Sequence, residues 1–299
     1  MRALVGSTPV KRIVVVVIGL LCYQILAQAE TGSADLVSPE TFTDGIEGPA
    51  FDSEGNLYVV NYLKQGTVGK IDKQGHVSLH ISLPDSSVGN GIQFGQGDVM
   101  YIADYVNHKI WKKSPDQENV SVYSHQPEMN QPNDLAMMNN GILFASDPDW
   151  ATGKGQVWRI ETDGSTVLLE SDMGTTNGIA VSEDEQFLYV NESVQRKVWR
   201  FKLATDGTVS EKTLFFEFDD FGLDGMRCDS NGNLYIARYG AGEVAVLNRD
   251  AKLVMRIPLK GKFPTNVALL EGESTRLYVT MQKRRTIEVV QLPSLAAGR

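Results

Sequence analysis

Six segments of this 299-residue chain repeat one another at a nearly constant step, and that repeat limits the fold more than any other feature. They read EGPAFD, NGIQFG, NDLAMM, NGIAVS, DGMRCD and NVALLE, and they open on Glu47, Asn90, Asn133, Asn177, Asp224 and Asn266. Successive steps are 43, 43, 44, 47 and 42 residues. A step of this size marks an array of like units, and short strand-rich units at this period point to the blades of a propeller. In a closed ring, equivalent positions meet on one axis. Five of the six opening residues are Asn or Asp and the first is Glu, so the axis would gather two carboxylates and up to four amide oxygens.

Each unit reads as four short strands. In the fifth, Met226-Arg227-Cys228 leads through the turn Ser230-Asn231-Gly232-Asn233 to runs at 234–237, 243–247 and 253–257. The runs are β-branched or aromatic and are bounded by Gly, Asn and Asp. The first two strands of a unit form a hairpin, so the start of one and the end of the next share a face. The strand-end residues Asn61, Asp104, Asp147, Glu192, Arg238 and Met281 are therefore expected to form a second ring that reads a substrate. The sixth unit lacks a fourth strand after Leu292, and residues 35–42 precede the first unit without another role. We expect an all-β, six-bladed β-propeller of four-stranded antiparallel blades, its ring closed by that N-terminal segment, which removes an exposed edge.

Lys11 and Arg12 precede an apolar run from Ile13 to Cys22, and Ala27-Gln28-Ala29 fits a small-x-small cleavage site. That is the layout of a signal peptide over residues 1–29, with the propeller spanning 30–299 and a secreted or periplasmic location. The run is too short for a stable membrane span after cleavage. A net charge of −9 argues against nucleic acid, whose phosphates demand a basic surface. Beyond the leader only Cys228 remains, so no internal disulfide can form. Asn119-Val120-Ser121 and Asn191-Glu192-Ser193 match the glycosylation pattern. A monomer acting on a small molecule is expected.

Clustered carboxylates repel one another unless a cation sits among them. The donors are hard oxygens, and His76, His80, His108 and His125 all fall off the axial register, which favours calcium over zinc or copper. Spacing leaves open which Asn positions reach the ion. Neither a G-x-S-x-G elbow nor a Gly-rich phosphate loop occurs, so metal-assisted hydrolysis fits best. The ester class and the phosphotriester class use the same geometry, and a non-catalytic binding propeller is the third reading.

The chain resembles the regucalcin/gluconolactonase family of six-bladed propellers. The resemblance rests on Glu47-Gly48-Pro49-Ala50-Phe51-Asp52, Pro132-Asn133-Asp134-Leu135, Asn177-Gly178-Ile179-Ala180, Asp147-Pro148-Asp149-Trp150, Leu223-Asp224-Gly225-Met226 and Pro264-Thr265-Asn266-Val267. It implies a calcium-dependent lactonase, with zinc, manganese or magnesium as alternative ions. Matched by motif, the ligands would be Glu47, Asn133, Asn177 and Asp224, with Asp224 also the general base or nucleophile. Asn90 occupies the register without an implied ligand role. Sugar-lactonase members carry Arg two residues before the third-blade Asn, and here that residue is Gln131. Gln131, Asn90, Asp104, Asp147, Trp150, Glu192, Arg238 and Met281 are the expected substrate-facing residues, and Gln131 with Met281 and Trp150 suggests a less polar lactone or ester.

Overall fold

The structure, a computed structural model, describes residues 32–272 and 274–293. The leader pattern at 1–29 lies outside them. Six four-stranded antiparallel sheets follow one another along the chain. Blade one is Phe42–Phe51, Leu57–Tyr62, Thr67–Ile71 and Val77–Ser82. Blade two is Gly89–Phe94, Met100–Asp104, Lys109–Lys113 and Ser121–His125. Blade three is Leu135–Met137, Leu143–Asp147, Gly155–Ile160 and Thr166–Met173. Blade four is Thr176–Val181, Phe187–Glu192, Lys197–Leu203 and Val209–Glu217. Blade five is Met226–Cys228, Leu234–Arg238, Glu243–Leu247 and Leu253–Pro258. Among the described residues, helix is confined to two single turns, Gln96–Asp98 and Gln282–Arg284. No helix there is long and apolar enough to cross a membrane.

Blade six takes Pro264–Leu270, Arg276–Met281 and Thr286–Gln291 from the end of the chain and Ala34–Asp35 from its beginning. Ala34 pairs with Val289 and Asp35 with Glu288. The closing strand is therefore shorter than residues 35–42, because Phe42 already opens the innermost strand of blade one. Side chains reinforce it: Arg284 grips both oxygens of Asp35 at 2.7 and 2.8 Å, and Ser33 Oγ donates to Glu288 at 2.6 Å. The Arg284 bonds hold the Asp35 carboxyl below its usual range.

Apolar side chains explain why the sheets stack into a ring. Each of six hydrophobic clusters is shared by two adjacent blades, and the cluster of Val37, Phe42, Ile46, Ala268, Tyr278 and Ile287 joins the last blade to the first. Second strands are sandwiched on both faces, so Leu143–Asp147 and Leu234–Arg238 are buried throughout. Outer strands such as Val77–Ser82 face water along most of their length. Asn191 is fully buried in a second strand, which excludes it as a glycan acceptor, whereas Asn119 is exposed. His76 and His125 are exposed, and burial pushes the Cys228 thiol up to about 12.

Candidate metal centre

The axial residues occupy irregular backbone at the start of each innermost strand. Pairing with the second strand skips there, between Glu47 and Ala50, Gly89 and Ile92, Thr176 and Ile179, and Pro264 and Val267. Such bulges turn a side chain out of the ladder. Glycine follows the axial residue in four units, because neighbouring strands crowd together at the axis. A Cβ on Gly178 would lie 2.5 Å from the Asp224 carbonyl oxygen, and one on Gly225 would lie 2.0 Å from Asn266 Cγ.

Glu47, Asn90, Asn133, Asn177 and Asp224 are brought together on the wall of one cavity of about 680 Å³. Glu47, Asn133 and Asn177 are buried, and Asp224 keeps an edge open to the cavity. Glu47 Oε2 accepts from the Gly48 amide at 2.8 Å and from Asn266 Nδ2 at 3.0 Å. Gly225 N donates to Asp224 Oδ1 at 3.1 Å. Asn90 donates to the Asn133 carbonyl at 3.2 Å. Asn177 Oδ1 is buried and accepts no hydrogen bond.

Burial pushes the Glu47 carboxyl up to about 7, with the Asp134 charge adding to the effect. The Gly48 amide, the Asn266 side chain and Arg227 pull the other way. Burial, and then the charge of Glu47, drive Asp224 well above the carboxylate range. The buried Glu47 carboxyl and the half-buried Asp224 carboxyl, beside an amide oxygen with no donor, form a hard-oxygen set that a divalent cation satisfies. On that test the residues fit a metal of the calcium type.

Below the axial residues lies a pair that the repeat did not signal. Arg227 Nη1 and Nη2 reach Asp134 Oδ2 and Oδ1 at 2.9 and 3.1 Å, joining blade five to blade three across the shaft. Each partner sits within three residues of an axial residue, but they are 93 residues apart in sequence.

The expected second ring is corrected. Asp104, Asp147, Glu192, Arg238 and Met281 are buried and none lines the cavity; nor does Gln131. The loop that enters each innermost strand folds back over the end of the second strand and takes up its polar atoms. Asp147 accepts from Asn130 N at 2.8 Å, Gln131 N at 2.6 Å and Trp158 Nε1 at 3.1 Å. Asp104 accepts from Val88 N, Val106 N and Trp111 Nε1. Glu192 accepts from Gly174 N at 2.9 Å. Arg238 donates to Asp220 and lies 3.8 Å from the Phe218 ring centroid, and Met281 packs in the core. Asn61 alone of that ring reaches the cavity.

The cavity mouth is instead built by loops after the second strands and by the loop entering blade five. Trp150 lines it as expected, at 43% exposure, with Val194 and Phe221, and among the described residues Arg196 is the one cation that lines it. None of these residues follows the repeat register of the innermost strands. The signal that could have found them is their place in the loops facing the axis.

Residues 113–283 match the model of the SMP-30/Gluconolactonase/LRE-like region. The gluconolactonase of Zymomonas mobilis is 30% identical over 229 residues, covering 65% of this chain and 64% of that protein. The pentonolactonase XacC of Haloferax volcanii is 30% identical over 151 residues, covering 50% of this chain and 52% of its own. The chain thus spans between half and just under two thirds of the length of these relatives. Among solved structures, a calcium-binding protein, regucalcin, from Agrobacterium tumefaciens superposes with a TM-score of 0.75 at 22% identity, covering 87% of this chain and 92% of that one, a likeness of fold.

Proposed function

The chain belongs to the SMP-30/Gluconolactonase/LRE-like family, and on that premise we propose that it is a metal-dependent lactonase. The observation that carries the reading is the meeting of Glu47 and Asp224 with the unpartnered Oδ1 of Asn177 on the wall of a 680 Å³ cavity. Glu47, Asn133, Asn177 and Asp224 would hold the ion, and calcium suits an all-oxygen carboxylate and amide set. A bound divalent cation supplies Lewis acidity toward a carbonyl oxygen.

The residues divide the remaining work. Glu47 is fixed by the Gly48 amide and by Asn266, so it serves as an anchored ligand. Asp224 faces the cavity, with Oδ1 held by the Gly225 amide. Its other oxygen accepts the proton of an attacking water as the water adds to the lactone carbonyl. The ring C–O bond then breaks, and the proton passes to the leaving ring oxygen, which becomes the hydroxyl of the product acid. Trp150, Val194 and Phe221 offer apolar surface to the body of the substrate. The pattern of residues 1–29 supports a secreted or periplasmic location.

A hydrolysis screen of lactones, aryl esters and phosphotriesters, with calcium and with excess chelator, tests this reading. Lactones are expected to be cleaved best, and only with metal present. Turnover confined to phosphotriesters, or unaffected by chelator, overturns it.

A further inference from the structure

The residue just before each third strand gives six equivalent positions: Gly66, His108, Lys154, Arg196, Gly242 and Arg285. Five of them have left-handed backbone, with φ from 51° to 76°, and Lys154 follows Gly153 at 66°. Two are glycine, as that conformation favours. The other four carry polar or charged side chains, and three of these are engaged within the protein. His108 bonds the Met129 carbonyl, Lys154 lies 3.6 Å from Asp172, and Arg285 lies 3.0 Å from Asp44.

Arg196 differs. It lines the cavity, its Nε is buried without a hydrogen-bond partner, and it takes part in none of the ion pairs among the described residues. The acids of the cavity are accounted for elsewhere. Asp44 is matched by Arg285, and Glu47 with Asp224 belong to the proposed metal set. Among the described residues the half-buried Arg196 has no counter-charge and its buried Nε no acceptor, on a cavity wall that also carries apolar Val194 and Phe221. Its planar fork matches a carboxylate, sulfonate or phosphate with two parallel bonds.

We propose that Arg196 recognises an anionic oxo group carried by the lactone away from the ester, so that this cavity prefers an acidic lactone. The inference rests on the lactonase reading for its substrate but not for its charge preference. The test uses the full-length metal-loaded enzyme and two probes: a γ-lactone with a carboxylate-terminated side chain, and the same lactone as the primary amide. Wild type is expected to favour the acid in kcat/KM by about tenfold or more, the usual scale of a charge-assisted hydrogen bond. The preference should sit in KM, collapse towards one in Arg196→Gln, and recover in part in Arg196→Lys, with melting temperatures confirming that both variants fold. Equal kcat/KM on the two probes in wild type overturns the inference and leaves the lactonase reading standing. If neither probe is cleaved, the lactonase reading fails, and calorimetric binding of the cyclic-ether analogues decides the inference alone. Tighter binding of the acid that is lost in Arg196→Gln supports it, and equal binding of acid and amide overturns it.

Discussion

Two sets of polar residues lie at the same end of this propeller, and the fold treats them oppositely. Asp104, Asp147, Glu192 and Arg238, at the ends of second strands, are buried and bonded to the loops that cover them. Glu47, Asn177 and Asp224, at the starts of innermost strands, crowd together with like charges adjacent and one amide oxygen unpaired. The three carboxylates of the first set use their hydrogen-bonding capacity on the protein itself, while Arg238 bonds Asp220 through Nη2 alone. The second accepts from Gly48, Asn266 and Gly225 but leaves its two adjacent carboxyls without a counter-charge of their own and the Asn177 oxygen unpaired, which is the ground for the proposed ion. Burial alone does not mark a functional carboxylate; a buried carboxylate without a protein partner for its charge does.

The sharpest way to break this contrast is to neutralise one acid in each set. Asp224→Asn keeps the shape and an oxygen donor but removes the base, so turnover at saturating calcium should fall by about 10²- to 10⁴-fold. Glu47→Gln should instead recover most activity as calcium is raised. Near-normal turnover in Asp224→Asn, measured as kcat on a substrate from the screen, would remove it as base.

Asp147→Ala should do the reverse. It leaves Asn130 N and Gln131 N without an acceptor and leaves Trp158 Nε1 with Gln156 Oε1 alone. The expected cost is roughly 2–4 kcal/mol in urea unfolding, with kcat of the folded enzyme nearly unchanged. A large loss of kcat without loss of stability would return Asp147 to the substrate ring.

A smaller effect concerns pH. The folded Glu47 carboxyl titrates near 7, above the unfolded value of 4.5, and Asp224 is shifted the same way. Folded protein without metal therefore holds protons that the unfolded chain has released, and its stability falls as pH rises from the ordinary carboxylate range through about 7. Calcium should reverse that slope, because it binds the deprotonated pair. Melting curves across this window, with calcium and with chelator, read both slopes. Superimposable curves would mean that the carboxyls hold no ion.

The innermost ring was legible because the repeat fixes it: residues in one register of similar hairpins must converge when the ring closes. Closure itself was legible from the missing fourth strand, although Phe42 proved to belong to blade one. The strand-end ring was misread because the hairpin argument says which end of a blade a side chain occupies, not whether a loop will cover it. A clue existed in Trp111 and Trp158, whose indole N–H groups reach Asp104 and Asp147 within their own blades. The Arg227–Asp134 pair left no such trace, since it joins blades that are not neighbours in sequence.

Ring closure also sets a timetable. Ser33 and Glu288, which meet in the closing strand, are 255 residues apart. At translation rates of ~5–20 residues per second, roughly 10–50 s separate their synthesis. Through that interval residues 33–36 have no partner, and once Thr286–Gln291 emerges its outer edge stands open until they arrive. Every nascent copy carries the same segment, so an edge waiting for its own closing strand can be capped by another chain's. Crowded synthesis then favours exchange of that short strand between copies, with the Arg284–Asp35 clamp formed across two molecules instead of within one.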